Sequence, residues 1–199
     1  NWPHSMLKHL HPDEGYVAYT IDLSQAENRI VAYVGRIDHM IDAFETGKDV
    51  HRLTASLIFN KPYEEISDEP GSCSLGNGES TERQWGKKAN HGLNYDLGYK
   101  SFALYYDMPE KDAKFVVERY HAAYPELRRN FHGYVKKCLQ TDRVVPNLMG
   151  RKTLFLTDLC DETYKAAYSC IPQGTVGDVI NERGMAFIYY NKRFREVEL

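Results

Sequence analysis

Arg83, Lys87 and His91 stand four residues apart in the stretch RQWGKKANHGLNYDLG, residues 83–98, with Asn90, Gly92 and Tyr95 beside them. On a helix each four-residue step advances about 40° past a full turn, so these side chains lie along one gently winding stripe roughly 12 Å long. That length suits a triphosphate. Arg supplies a bidentate fork, Lys a point charge and His a ring that stacks or donates, so one stripe could hold phosphates at one end and a base at the other. Tyr95, one turn on, extends the ring-bearing end. The same spacing is also the common pattern of a solvated helix face, so the stripe alone decides nothing.

A second stretch, DLSQAENR at residues 22–29, adds two carboxylates. Asp22 ends an aromatic and β-branched run, where a metal could sit, and Glu27 falls in the first turn of the following helix, facing the same cleft. A turn aspartate and a helix-start glutamate favoured by the dipole account for these two residues as well.

Certain elements must position these groups. Residues 16–22, YVAYTID, read as a strand, and Ser24 can cap a helix on which Ala26, Ile30, Val31 and Val34 recur at helical spacing. A second short helix runs from Gly35 to about Gly47, and Asp49 can cap a third, whose Val50, Leu53, Thr54 and Leu57 share a face. Residues 61–80, rich in Pro, Gly, Ser and acids, form a surface loop. Thr81 and Gln84 have capping-box spacing, giving the stripe a helix start. Farther on, Asp107-Met108-Pro109 opens a helix that Pro125 interrupts, and Val144 to Leu156 reads as a hairpin. A helix from about Asp158 to Tyr168, a turn at residues 171–174 and a last helix to about Tyr190 follow. The final FREVEL reads as a strand entered but not finished.

Composition bounds the class. The 199 residues, 42% hydrophobic with a net charge of −3, can bury a core and exclude a protein coated in basic charge, while leaving room for a local basic cleft. The four cysteines form no CxxC pair, so free thiols in a reducing compartment are expected. No apolar run approaches a membrane span and no signal peptide is recognisable, which makes a soluble, cytoplasmic protein the expectation.

Taken in order, DLSQAENR (22–29), DVHRLTA (49–55), RQWGKKANHGLNY (83–95), GRK (150–152) and IPQGTVGDVI (171–180) resemble the motifs of the family A DNA polymerases, the DNA polymerase I-like enzymes. The resemblance covers nearly the whole chain. It implies an α+β, mostly helical fold: part of the palm of a right-hand polymerase, with its motif A strand, and a helical fingers subdomain. Residues 1–35 would be partial palm, 36–140 fingers with a nucleotide-binding helix at about 82–95, and 141–199 the return to the palm. The implied activity is template-directed DNA synthesis, transfer of a dNTP to a primer 3′-OH with two Mg2+ ions, on primer-template DNA.

Roles carry over residue by residue. Asp22 would be the catalytic aspartate that bridges both magnesium ions, with the Leu23 carbonyl as a further ligand. Glu27 would lie where a ribose 2′-OH would go. His51, Arg83 and Lys87 would hold the incoming triphosphate, and Lys87 would also offset leaving-group charge and donate a proton. His91 and Tyr95 complete the nucleotide site, Tyr95 at the base of the nascent-pair pocket. Gln173, Lys165 and Arg151 would contact primer and template. Closing of the 82–95 helix over a paired nucleotide would assemble the site.

The pattern breaks in places. The family's second metal-binding aspartate, in a His-Asp motif, is expected just past Leu199, so the chain reads as a fragment inactive by itself, or as a binding subunit needing a second polypeptide. A single-subunit RNA polymerase shares the layout, but Ser24-Gln25-x-Glu27 and Asn90-x-Gly92 favour DNA synthesis. His91 stands where the family has Phe or Tyr, adding a proton equilibrium. Asp96 replaces the usual Gly, and Ser169 the usual Asn.

Overall fold

The computed structural model describes Met6, His9, residues 11–17 and residues 22–191. The fold is mostly helical with one two-stranded sheet. The expected strand at 16–22, of which residues 18–21 are not described, and the expected strand at 194–199 lie outside the described residues.

Helix α1, Ala26–Gly35, follows a left-handed Gln25 at φ 53° with no side-chain cap, so the cap falls on Gln25 and not on Ser24 as expected. Its buried stripe is Asn28, Val31, Ala32 and Gly35. Helix α2, Asp38–Glu45, buries Met40, Ala43 and Phe44. Helix α3, Val50–Phe59, is capped as expected by Asp49, whose carboxylate accepts from the backbone N–H groups of His51 (2.8 Å) and Arg52 (3.2 Å). After the loop, which holds one 3₁₀ turn at Tyr63–Glu65, come α4, Glu82–Leu93, and the short α5, Tyr99–Tyr105. Helix α6, Glu110–Ala123, ends at Tyr124, which leaves helical geometry because Pro125 follows.

A π-helical segment, Leu127–His132, leads into α7, Gly133–Thr141. Strands β1, Val144–Pro146, and β2, Lys152–Leu154, form the expected hairpin with Val145 opposite Thr153. Helix α8, Asp161–Val179, then continues through a π-helical segment, Ile180–Met185, into α9, Ala186–Tyr190.

The expected turn at residues 171–174 is absent: Pro172 sits inside α8. An internal proline forfeits a backbone hydrogen bond and costs about 3 kcal/mol. Burial of Ile171, Pro172 and Thr175 offsets that cost, and Thr175 Oγ1 bridges the region by donating to the Ile171 carbonyl at 2.6 Å and accepting from Leu148 N–H at 3.1 Å. A proline that reads as a breaker in isolation is held helical by what packs on it.

One buried cluster runs from Val31 to Ile171 and includes Trp85, Leu93, Phe102, Tyr120, Tyr124 and Phe131. Helices α3 and α4 pack along their lengths within it.

Candidate active site

Helix α4 starts with a complete capping box: Thr81 Oγ1 accepts from Gln84 N–H at 3.1 Å, and the Gln84 side chain accepts from Thr81 N–H at 3.0 Å. Its buried face carries Glu82, Trp85, Gly86, Ala89, Asn90 and Leu93. Arg83, Lys87 and His91 lie on the less buried side, so the stripe exists as the spacing implied. Gly86 is the point of closest approach to α3: a Cβ there would come within 2.1 Å of the His51 carbonyl oxygen and 2.9 Å of Ala55 N. That contact brings His51 beside Lys87.

A cavity of about 250 Å³ opens at the junction of α1, α3, α4 and α8. It is lined by Asp22, Leu23, Glu27, His51, Lys87, His91 and Tyr95, together with Asn90, Asn94, Val176 and others. The structure therefore brings together seven of the residues singled out by sequence, from three separate stretches. Lys87 forms no ion pair among the described residues, which leaves its ammonium free for an anion in this cavity.

The groups around the cavity are tuned by burial and by one another. The Tyr95 phenol donates to the Glu27 carboxylate, and the Gln173 side chain reaches the same hydroxyl. Burial, then the Glu27 carboxylate, raises the Tyr95 pKa, so the phenol keeps its proton. Burial also pushes the His51 imidazole down to about 4; the Asp49 charge opposes this while Arg83, Lys87 and His91 reinforce it. His51 is thus a neutral ring at pH 7.

Arg83 does not line the cavity. Its guanidinium grips Asp49, at 2.7 Å from Nε and 2.6 Å from Nη2, with Asp68 at 3.8 Å. Burial raises the Asp49 pKa, but the Arg83 hydrogen bond and the backbone donors of α3 outweigh it and leave the carboxyl below its ordinary value. The α3 N-terminus, Asp49 and Arg83 thus form one polar unit a turn away from Lys87.

The end of α4 resolves what Asp96 does. Asp96 N–H bonds the Leu93 carbonyl (3.1 Å) and Leu97 N–H the Gly92 carbonyl (3.3 Å), with Asp96 left-handed at φ 58°. This is a Schellman motif with an aspartate in the position usually filled by glycine. Arg128 holds its carboxylate at 2.8 and 3.2 Å. The helix end is thereby preserved despite the substitution.

Lys165 lies elsewhere, in a second cavity of about 440 Å³ that Asp96, Arg128, Lys136 and Tyr168 also line. Arg151 sits on the hairpin and is engaged by Asp178 (2.9 Å) and the Gly174 carbonyl (3.2 Å). Of the residues expected at DNA, only Gln173 reaches the first cavity's Tyr95.

Sequence reasoning gave no role to Asn90, which is fully buried and bonds both Thr54 and His51. It also passed over Gly86 and Asn94. The signal was present: two amides at positions 90 and 94, four apart on the apolar side of an amphipathic helix, need buried partners.

For a metal, Asp22 and the Leu23 carbonyl are hard oxygen donors of the kind magnesium takes. Both residues are exposed at the cavity's rim. Among the described residues no group of three or more His, Cys, Asp or Glu side chains is placed to hold a metal ion. The donor set fits one side of such a site. No helix among the described residues is long and apolar enough to cross a membrane.

The family model for DNA polymerase family A matches residues 4–198. DNA polymerase I of Geobacillus stearothermophilus is 26% identical over 191 residues, covering 92% of this chain and 20% of the relative. DNA polymerase I of Aquifex aeolicus is 30% identical over 193 residues, covering 89% of this chain and 30% of the relative. The fold is similar to a solved structure of the POL domain of Pol1 from M. smegmatis in complex with DNA primer-template and dNTP. The TM-score is 0.66 and the identity 27%, over 80% of this chain and 27% of that one. The chain thus spans about a fifth to a third of the length of these relatives.

Proposed function

Because the chain belongs to DNA polymerase family A, we propose that it forms the nucleotide-binding part of a template-directed DNA polymerase site, which transfers dNTPs to a primer 3′-OH. The observation that carries this reading is the convergence of Asp22, Glu27, His51, Lys87, His91 and Tyr95 on one cavity. In this reading residues 36–140 are fingers, and residues 1–35 and 141–199 are parts of the palm.

Each side chain has a physical task. Lys87, free of any ion pair among the described residues, offsets the charge of the β- and γ-phosphates and sits where it can protonate the leaving pyrophosphate. His51, neutral and buried except at the cavity, contributes a hydrogen bond to the same phosphates. Glu27, pinned by Tyr95, fills the space a 2′-OH would need and rejects ribonucleotides sterically. His91 supplies a ring against the base or sugar, and Tyr95 the floor of the pocket. Arg83 reaches the triphosphate only by exchanging Asp49 for it, so its contribution is set by that competition.

Asp22 and the Leu23 carbonyl would hold magnesium. Bound there, the metal would stabilise the attacking and leaving oxygens of an in-line displacement. Gln173, next to Tyr95, and Lys165 and Arg151 farther out, would face primer and template. The relatives carry the matching region within one longer chain, so a separate polypeptide supplying a second aspartate has no support from them.

The test is primer extension by the full-length protein with dNTPs and magnesium, alongside an Asp22→Asn variant. Loss of extension by several orders of magnitude, with primer-template affinity retained, is the expected result. Undiminished extension by Asp22→Asn would overturn the assignment.

A further inference from the structure

Four buried side chains behind the cavity form a single hydrogen-bonded relay. The Tyr124 hydroxyl lies 3.0 Å from Thr54 Oγ1, Thr54 Oγ1 3.0 Å from Asn90 Oδ1, and Asn90 Nδ2 3.1 Å from His51 Nδ1. Thr54, Asn90 and Tyr124 are fully buried and His51 is 8% exposed. The relay joins α3, α4 and the end of α6; its His51 and Asn90 members line the cavity, while Thr54 and Tyr124 lie behind them.

The direction of this relay is fixed by its inner end. The Tyr124 hydroxyl has one hydrogen-bonding partner among the described residues, Thr54. A buried phenol that keeps its proton must give it to that partner, and burial does hold the Tyr124 proton on by raising its pKa. Thr54 Oγ1 therefore accepts from Tyr124 and spends its own hydrogen on Asn90 Oδ1. That leaves Asn90 Nδ2 to face His51, and an amide N–H can only donate. His51 Nδ1 must then be the unprotonated nitrogen.

We infer that Asn90 is a positioning residue for triphosphate recognition: it holds His51 in the tautomer with the proton on Nε2, so the ring offers phosphate a donor instead of a lone pair. The inference rests on the nucleotide reading of the cavity given above. A neutral histidine of the opposite tautomer would present a lone pair to an anion and repel it, so a relay that sets the tautomer before binding removes an unproductive state. The same bond fixes the ring plane. Burial and the neighbouring cations Arg83 and Lys87 keep His51 neutral, so protonation does not mask the difference.

The tautomer is read directly from the ring nitrogens of the full-length protein labelled with 15N-histidine, His51 being assigned by its loss in His51→Gln. A proton on Nε2 and none on Nδ1 is expected, and a proton on Nδ1 overturns the inference. Thr54→Val, which cuts the relay at similar volume, should give a mixture of tautomers; an unchanged pure Nε2–H form overturns it too.

Function is read by a double-mutant cycle on dNTP affinity. Loss of one phosphate hydrogen bond should weaken binding about tenfold in His51→Ala. Asn90→Ala should weaken it by a comparable factor, and the double variant no further than His51→Ala. Additive losses overturn the inference. Should Asn90→Ala fail to fold, Thr54→Val takes its place in the cycle. If His51→Ala weakens binding and Asn90→Ala does not, the positioning role alone falls. If His51→Ala and Lys87→Ala both leave dNTP affinity unchanged, the nucleotide reading falls and carries this inference with it.

Discussion

The Tyr95 phenol donates its hydrogen to the Glu27 carboxylate, tying the turn after α4 to the first turn of α1. The bond crosses 68 residues of sequence and fixes Glu27 against one wall of the cavity. Removing the carboxylate in Glu27→Ala should raise acceptance of ribonucleotides, read as a fall in the ratio of kcat/KM for dNTP over rNTP. Tyr95→Phe keeps the carboxylate but frees it, so the same ratio should fall less, with a stability cost of about 1.5 kcal/mol, the low end for a bond to a charged acceptor because this one is only part-buried. An unchanged ratio in Glu27→Ala would contradict the steric role.

Gly86 sets how closely α3 and α4 approach. Gly86→Ala improves helix propensity by about 1 kcal/mol, yet its Cβ would meet backbone atoms of His51 and Ala55 at 2.1 and 2.9 Å. Backbone cannot swing aside as a side-chain tip can, so overpacking should win and leave a net loss of about 1 to 3 kcal/mol. Thermal unfolding reads the stability. A dNTP affinity that weakens along with it would show that His51 has been pushed away from Lys87. A gain in stability would contradict the close approach.

Acid should destabilise this fold before its carboxylates titrate. Burial holds His51 and His121 down to about 4, against 6.5 for an exposed ring. Between those values the unfolded chain binds protons that the folded chain excludes. Stability should therefore fall with decreasing pH from about 6.5 to about 4, by up to about 1.4 kcal/mol per pH unit for each ring. Below about 4 the folded rings protonate too and their contribution levels off. Asp49 and Asp96, held below 3.8, then add a further loss as pH drops past that value. Urea titrations from pH 7.5 to 4 measure the slope; His121→Phe should remove part of it, since both ring nitrogens of His121 are buried without hydrogen-bond partners, with His51 and His132, whose pKa burial also lowers, carrying the rest. A flat profile over that range would contradict the burial of these rings as neutral groups.

At Asp96 two effects oppose each other. A non-glycine residue at φ 58° costs about 1 kcal/mol, whereas the Arg128 pair, with Arg128 55% exposed, contributes no more than about 1 kcal/mol. Asp96→Gly should therefore change stability by less than about 1 kcal/mol in either direction. Asp96→Val, with a β-branched side chain in the left-handed region and no carboxylate for Arg128, should cost clearly more. Equal effects of the two variants in chemical denaturation would contradict the helix end described here.

What the sequence revealed was what local chemistry decides. The Asp49 cap, the Thr81–Gln84 capping box, the stop at Tyr124 before Pro125 and the hairpin at Val144 to Leu154 each depend on a few neighbouring residues. The stripe Arg83, Lys87, His91 was legible because helical spacing alone makes it. Pro172 was misread because its helical state depends on burial against a hairpin more than twenty residues upstream. Gly86 and Asn90 drew no role because each acts on α3: the Thr54–Asn90 bond spans 36 residues and the Asn90–His51 bond 39. Spacing showed which residues share a face but not that Asp49 would engage Arg83, a competition that exists only once α3 and α4 are packed.

The most direct test of the nucleotide site is the dissociation constant of an incoming dNTP for the full-length protein on primer-template with magnesium, compared with Lys87→Ala. If the triphosphate lies beside Lys87, deleting an ammonium that forms no ion pair among the described residues should weaken dNTP binding at least about tenfold, while primer-template affinity and its salt dependence stay unchanged. An unchanged dNTP constant, or equal losses for dNTP and DNA, would contradict the placement of the triphosphate in the cavity beside Lys87.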